Sequence, residues 1–503
     1  MSTPPAPEPP SDGRGRPDRS SDYLAYAERV WYGTADLDDH LTGVYCGDHL
    51  IRLREQVGFF PGFANSVVFD TGDGLVLVDS GDVLSAAQRH AAVRNFSTAR
   101  VAAAVLTHGH VDHVGGLGPF DAEEHRPEVV AHEAVAARFD RYRRTDGYNS
   151  WINRRQFGVP WLDWPTEYRY PDTTYRSRRT LRQGSLTFEL VHARGETDDH
   201  TYVWVPELGV LCTGDLFIWN TPNAGNPQKA QRYPEEWAAA LRTMAGLGAE
   251  LLLPGHGIPI LGAGRVREAL TDTAELLQTL CDQTRDLMNQ GLRLDEVVRR
   301  VRVPAALLAR PYLRPAYDEP EFVVRNLWRL WGGWYDQNPA HLKPAPEAAV
   351  AAELAAAAGG ARVLAARAAV LLEEGRLRLA AHLAETAALA APGDKEIARV
   401  RAEVYGRRAG RETSTMARGI FTWAAAESAA VVEGTDVATE LARTPQGADR
   451  AAGRIGVGLG DGTAQTGETG ATGETATDGG DQDGTADRPA DAPAAAPAGG
   501  TVR

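Results

Sequence analysis

The sequence predicts an α/β region followed by an all-helical one. Three observations carry this reading. Residues 21–265 alternate short β-rich runs with turn signals and intervening helical stretches. From 266 to 425 the chain changes to Ala/Leu/Arg/Glu-rich segments of helical periodicity. The ends, 1–20 and most of 426–503, are polar and low in complexity, above all GETGATGETATDGGDQDGTADRPADAPAAAPAGG, and bury too little apolar surface to fold.

Within the first region, SVVFDTGDGLVLVDSG reads as a hairpin with strands Ser66 to Phe69 and Leu75 to Asp79 about a Gly-Asp-Gly turn. VAAAVLTHGH is a buried strand running into a loop, LTFELVHARGE a further strand, and TYVWVPELGVLCTGD a second hairpin. A helix is expected around Pro234 to Leu247. In the second region, Ala361 to Glu374, Arg376 to Leu389 and Asp394 to Arg408 are separated by short Gly- or Pro-containing breaks, so antiparallel helices are expected. Ala380, Ala384 and Ala388 recur every fourth residue and offer a small-residue packing face. Trp328, Trp331, Trp334 and Tyr335 follow spacings that predict one apolar helical stripe, suited to a core or to a subunit contact.

Composition excludes several classes of function. Acids outnumber bases 67 to 53, for a net charge of −14, which argues against a nucleic-acid or anionic-membrane binder. The three cysteines, Cys46, Cys212 and Cys281, lie far apart with no CxxC, so neither a disulfide framework nor a thiolate zinc site is expected, and a reducing cytoplasm fits. The N-terminal stretch has no apolar core of a signal peptide, and no run of about 18 apolar residues suggests a membrane span.

The chemistry concentrates in THGHVDHVGG, Thr107 to Gly116, which places three of the chain's 13 histidines and an aspartate within six residues after an apolar strand. A continuing strand would send His108 and His110 to the same face yet hold them apart along it, so the backbone must turn into a loop for them to converge on one ion. Gly109, Gly115 and Gly116 supply clearance for that bend. Two imidazoles with one further ligand would hold one metal, and Asp112 and His113 point to a neighbouring one. Mixed nitrogen and carboxylate donors offset the repulsion of two nearby cations.

HxHxDH with the following Gly-Gly resembles the metallo-β-lactamase superfamily, which implies an αββα sandwich with its remaining ligands at later strand ends. His192, Glu196 and His200 in HARGETDDH stand where many members have HxxxHxxxH, and glutamate at the middle position resembles the alkyl sulfatase branch. Asp215 in CTGDLF and His256 in LLLPGHG match the later carboxylate and the last histidine. EPEFVVRNLWRLWGGWYDQNPAHLKPAPEAA, Glu319 to Ala349, resembles the segment that links catalytic and dimerisation domains in that branch. The implied domains are a catalytic one over 21–265 and a helical dimerisation one over 266–425. The implied ligands are His108, His110 and Glu196 for one ion and Asp112, His113 and His256 for the other, with Asp215 bridging or on the second. Asp79 matches an aspartate that orients the histidine loop, and His192 and His200 are either partners of the ligands or turn residues. Two divalent ions are implied, zinc preferred, with manganese or iron also compatible with the donors.

The resemblance covers about residues 25–425 and does not reach the sterol-carrier-like third domain of well-known members, so long-chain surfactants are not the expected natural substrate. It implies hydrolysis of an alkyl or related organic sulfate by a metal-bound hydroxide, the metals lowering the pKa of water from 15.7 toward about 7. A small anionic sulfate ester and a second copy of the chain, paired through the helical domain, are the expected partners. Candidate groups for the sulfate lie in DRYRRTDGYNSWINRRQFG, read as a loop with Arg143, Arg144, Tyr148, Asn149, Asn153 and Arg154, and in NAGNPQKAQRYPEEW, with Asn223, Asn226, Lys229 and Arg232. Tyr148, Asn149 and Arg232 are preferred, with Asp112 and Asp79 completing the catalytic set. Trp151, Trp161, Trp164 and Trp219 either wall an apolar groove or pack in the core. Two other readings stay open: a thioester, lactone or phosphoester hydrolase on the same fold, and a helical scaffold with a vestigial metal site.

Overall fold

A computed structural model of the chain describes residues 19–37, 40 and 49–444. The expected disorder of 1–18 and 445–503 lies outside these residues, as does Cys46. Ser20, assigned to the N-terminal tail, instead opens a helix, Ser20–Trp31, whose Tyr23, Tyr26 and Val30 are buried.

Two sheets form the first half. In the seven-stranded sheet, β1 (Ile51–Arg54), β2 (Val57–Phe60), β3 (Ser66–Asp70) and β4 (Leu75–Val78) run as an antiparallel meander. β5 (Val101–Val105), β6 (Glu128–His132) and β7 (Thr173–Tyr175) add in parallel, in chain order. The six-stranded sheet comprises β8 (Arg178–Gln183), β9 (Leu186–His192), β10 (Thr201–Val205), β11 (Val210–Ile218), β12 (Leu251–His256) and β13 (Ile260–Leu261), in the order β13-β12-β11-β10-β9-β8. Only β11 and β12 pair in parallel there.

Period-two patterning explains the layering. Val67 and Phe69 of β3 point into the space between the sheets and join Phe188, Leu190 and Val203 from the other sheet, while Val68 points outward into a second cluster with Val93 and Phe120. Phe69 and Phe188 meet edge to face at 5.3 Å between centroids. Helices Ala86–Phe96 and Ala134–Arg144 cover one outer face, and Pro234–Ala245 and Ala263–Asn289 the other, giving the αββα sandwich.

Helices follow through the second half: Pro320–Gly332, Glu347–Ala358, Ala361–Glu373, Leu377–Ala390, Lys395–Ala409, Thr415–Glu433 and Val437–Ala442. The last two carry helix beyond residue 425, the boundary expected for the helical region. Ala380 and Ala384 are buried at the centre of a helical cluster with Ala368 and Val404, whereas Ala388 is partly buried at the edge of the next. The predicted aromatic stripe is interrupted. Pro320–Gly332 ends at Gly333, whose φ of 80° leaves the helical region, so Trp328 is buried but Trp334 lies beyond the helix and is 68% exposed.

The second half also reaches back over the first. Trp151 meets Trp423 edge to face, and the Thr415–Glu433 helix lies against the Asp146–Phe157 helix with Gly419 directly on the Gln156 carbonyl. A Cβ at 419 would overlap that oxygen, which is backbone and cannot rotate away. Gly419→Ala is expected to destabilise the chain by about 1–3 kcal/mol through this overlap, seen as a lower urea midpoint, while Gly406→Ala, in open space on a neighbouring helix, should not.

Candidate metal centre

The centre lies at the ends of strands from both sheets. β5 stops at Val105, and Asp79, just past β4, takes a positive φ of 57° that turns its carboxylate toward the next strand's exit. There Oδ1 accepts the Thr107 amide at 2.7 Å, and Oδ2 accepts the Thr107 hydroxyl at 2.7 Å and His113 Nδ1 at 2.8 Å. With its hydrogen directed to Asp79, Thr107 Oγ1 accepts from His108 Nδ1 at 3.0 Å. One carboxylate thus sets the tautomer of two histidines and leaves both Nε2 lone pairs facing inward. The His256 ring is set similarly, its Nδ1 donating to the Phe63 carbonyl.

All seven expected ligands come together. His108, His110, Glu196 and Asp215 each offer an atom within 4.8 Å of the others, and Asp112, His113 and His256 form an adjacent group of the same kind. His108 Nε2 stands 2.8 Å from His110 Nδ1 and 3.6 Å from Glu196 Oε2. His256 Nε2 stands 3.5 Å from Asp112 Oδ2. Asp215 lies between the groups: Oδ2 is 3.7 Å from His108 Nε2 and 3.3 Å from His256 Nε2, and Oδ1 is 3.2 Å from His113 Nε2. Its position is intermediate, as a bridging ligand requires.

The donors fit divalent ions on a direct observation: Glu196 Oε2 and Asp215 Oδ1 are buried and accept no hydrogen bond. Unpaired carboxylate oxygens inside a protein carry a large desolvation cost that cations relieve. The titration behaviour agrees. Burial, only partly offset by Arg232, pushes Glu196 up to about 7. Burial opposes charge on His256, yet Asp215 and Asp112 raise it to about 9. His113 is held well above its ordinary value against the same burial by Asp215, Asp112 and Asp79. The cluster draws positive charge onto His113 and His256, while burial and then neighbouring cationic side chains hold His108 and His110 well below the ordinary histidine value. His110, Asp112 and His256 retain 16, 18 and 23% side-chain exposure, so the centre opens on their side.

The remaining expected residues fall differently. His200 stacks on His108 at 4.4 Å, but its Nε2 accepts the Asp215 amide, so it holds two ligands in place rather than facing the ions. His192 donates to the His200 carbonyl and stacks on His132 at 3.7 Å, away from the ligand group. The stretch expected as a sulfate-binding loop is two helices, Ala134–Arg144 and Asp146–Phe157. Tyr148 lies on the solvent side of the second, 61% exposed, whereas Asn149 and Asn153 are buried. Arg143 and Arg144 are exposed, and Arg154 is taken up by the Leu162 carbonyl and Asp163. Arg232 is 3% exposed and bound to Glu196, donating to its carbonyl and lying 3.5 Å from Oε1. Asn223 donates to Glu196 Oε1. Trp219 is core, with its indole on the Ile258 carbonyl, and Trp151 and Trp161 are exposed, so the four tryptophans do not wall one groove.

Residues not anticipated complete the support. Arg138 and Asp199 form a buried ion pair at 2.7 Å, and Asp199 also accepts the Gly109 amide; a Cβ at Gly109 would sit 2.8 Å from the Arg138 side chain. From the helical half, Asp318 accepts the Gly225 amide at 2.5 Å and the Glu319 amide at 2.7 Å. Asn326 donates to the Arg232 carbonyl at 3.1 Å. Tyr317 accepts from Gln156 at 2.8 Å.

Residues 59–256 match the family model of the metallo-beta-lactamase superfamily, and residues 293–430 that of alkyl sulfatase dimerisation. The chain is 26% identical over 401 residues to a linear primary-alkylsulfatase from a Pseudomonas strain, covering 75% of this chain and 76% of that one. It is 24% identical over 411 residues to an (R)-specific secondary-alkylsulfatase from a Pseudomonas species, covering 75% of this chain and 61% of that one. The solved structure of the stereoselective inverting sec-alkylsulfatase Pisa1 from Pseudomonas sp. has the same fold, with a TM-score of 0.69 at 21% identity over 77% of this chain and 66% of that one.

Three variants probe this support. Asp79→Asn, which keeps a residue tolerant of the positive φ but gives up one of two acceptors, should lower metal affinity by about 10–100-fold in metal titrations. Arg138→Met should cost about 3–5 kcal/mol in denaturant unfolding by stranding Asp199. Because Arg138 holds the Asp199 pKa below the ordinary range despite burial, this stabilisation is complete above the unfolded carboxylate pKa and is lost as pH falls toward the folded value. An Arg138→Met/Asp199→Leu double variant should lack that acid-sensitive component.

Proposed function

Because the chain belongs to the metallo-β-lactamase superfamily, in its alkyl sulfatase branch, we propose that it is a dinuclear metal-dependent hydrolase of alkyl or related organic sulfate esters. The observation that carries this reading is the paired ligand group itself, with Asp215 between its halves and orphaned carboxylate oxygens turned inward. Divalent ions held there, zinc preferred, would supply an activated water and neutralise charge on the departing oxygen or sulfate. His108, His110 and Glu196 are assigned to one ion, Asp112, His113 and His256 to the other, and Asp215 to both.

The chain's own groups do the positioning. Asp79 and Thr107 hold His108 and His113 in the tautomers that present Nε2. Arg232 and Asn223 fix the Glu196 carboxylate from outside the centre. The thioester, lactone, phosphoester and scaffold readings are not favoured: residues 293–430 match the alkyl sulfatase dimerisation model, and the chain aligns with alkylsulfatases over 75% of its length. A homodimer is proposed through that region, where Val350, Leu354, Val363, Val370 and Leu379 are exposed. No single helix among the described residues is long and apolar enough to cross a membrane. Action in a reducing cytoplasm is proposed from Cys212 and Cys281, both free and buried.

Purified protein is expected to bind two metal ions per chain and to release sulfate from a medium-chain alkyl sulfate, with both lost in His110→Ala and Asp112→Ala. Elemental analysis and sulfate release check this. Metal-free protein after reconstitution would refute the centre, and full metal content without sulfate release would refute the substrate class.

A further inference from the structure

His256, the last ligand in the chain, stands at the end of β12, where the sheet around it loses regularity. β13 pairs with β12 only at Leu251 and Leu252. β11 stays alongside but breaks register between Gly214 and Ile218, so the backbone around His256 is not met by a regular ladder and its carbonyls need donors from elsewhere. Asn65, in the loop between β2 and β3 of the other sheet and 3% exposed, reaches them. Its Nδ2 donates to the Pro254 carbonyl at 3.0 Å and to the Gly257 carbonyl at 2.8 Å, and its backbone amide donates to the Gly255 carbonyl at 2.8 Å. The ligand is thus held from both sides in sequence by a single residue. Asn65 Oδ1 is used as well, accepting the Gly62 amide at 3.2 Å, so donors and acceptor of the side chain are all committed.

The loop that carries Asn65 also holds the imidazole. The Phe63 carbonyl accepts from His256 Nδ1, and the Phe63 ring meets the His256 ring edge to face at 5.2 Å between centroids. The opposite side of the strand is a wall: a Cβ at Gly255 would lie 2.1 Å from Asp215 Oδ1. The end of β12 is therefore caught between Asp215 and the 61–65 loop. That loop is anchored in turn by the buried Arg89, which donates to the Ala64 carbonyl at 3.3 Å and to the Ser80 carbonyl at 2.8 Å. The Ser80 amide donates to the His113 carbonyl at 2.8 Å, so one chain of contacts joins His256 to His113. The other group of ligands is braced elsewhere, Gly109 by Asp199 and Glu196 by Arg232 and Asn223.

Resting on the two-ion reading, we infer that Asn65 is a positioning residue for one ion only. By clasping β12 around His256 it sets where that imidazole stands, and so the affinity of the Asp112, His113 and His256 group, while the His108, His110 and Glu196 group keeps its own supports. Coordinate bonds are short and directional, so a ligand that drifts by a fraction of an ångström loses much of its hold. The clasp crosses from one sheet to the other, and an asparagine that merely tied the sheets together would stabilise the chain equally with and without metal. One that positions His256 stabilises the metal-bound chain more, because binding adds its own free energy to folding.

The test reads metal uptake rather than turnover. Zinc is titrated against a competing chelator into metal-free full-length wild type, Asn65→Asp and Asn65→Ala, and urea midpoints are measured with and without zinc. Asn65→Asp keeps the acceptor for the Gly62 amide but turns a carboxylate oxygen on the Pro254 and Gly257 carbonyls; Asn65→Ala buries no charge and carries the test if the aspartate variant does not fold. Each folded variant is expected to keep one ion at wild-type affinity and to bind the other about 10–100-fold more weakly. Its urea midpoint should fall further in zinc-loaded than in metal-free protein. Two ions bound as tightly as in the wild type, equal weakening of both, or a midpoint loss of the same size with and without zinc would overturn the assignment and leave the two-ion reading standing. A wild type that takes up fewer than two ions would overturn that reading, and the assignment with it.

Discussion

The centre depends on how the Asp79 carboxylate is shared. Two oxygens at the end of β4 take a backbone amide, a hydroxyl and an imidazole, and through the hydroxyl they reach a second imidazole. Each bond is short because its acceptor is charged and the surroundings are dry. The positive φ of Asp79 is the conformational cost of aiming that carboxylate across the strand ends, of the order of 1 kcal/mol for a residue type that tolerates this region. Two ligands of the THGHVDH segment, His108 in its loop and His113 on the helical turn Val111–Val114, are thereby oriented from outside it.

The same logic of charge placed and then compensated extends outward. Glu196 is a buried carboxylate with one oxygen toward the histidines and the other held by Asn223 and Arg232, while the Glu196 carbonyl also binds Arg232. Gly109 is pinned to Asp199, which Arg138 neutralises. The inner shell carries excess negative charge toward the ions, and the outer shell carries the cations that keep that excess from unfolding the site.

How far this was legible in the sequence follows from the kind of signal each residue leaves. Hairpins, alternating strands and the Ala-rich helices announce themselves because one face is apolar and the other is not. His108, His110, Asp112 and His113 are dense enough to read as ligands directly, and Glu196, Asp215 and His256 follow from the family resemblance. The Asp146–Phe157 helix did not read as one because its buried face is Asn149, Asn153 and Gln156, so hydrophobic periodicity is absent where packing is tightest. Arg138 and Asp199 stand 61 residues apart and look like surface charges until the fold joins them. The aromatic stripe was over-read for a local reason: Gly332-Gly333 breaks the helix before Trp334.

The seam at Asp318 has a consequence for how this architecture can be recombined. The loop carrying Asn223 and Arg232 is gripped by Asp318 and Asn326, which belong to the chain after the sandwich closes. A chimera that exchanged the C-terminal module of one relative for another's at a junction near residue 265 would separate the hydrolytic scaffold from part of its own scaffolding. Interchangeable pieces, for an engineer or for descent by gene fusion, must be cut beyond Asn326, so that the strap travels with the centre it braces.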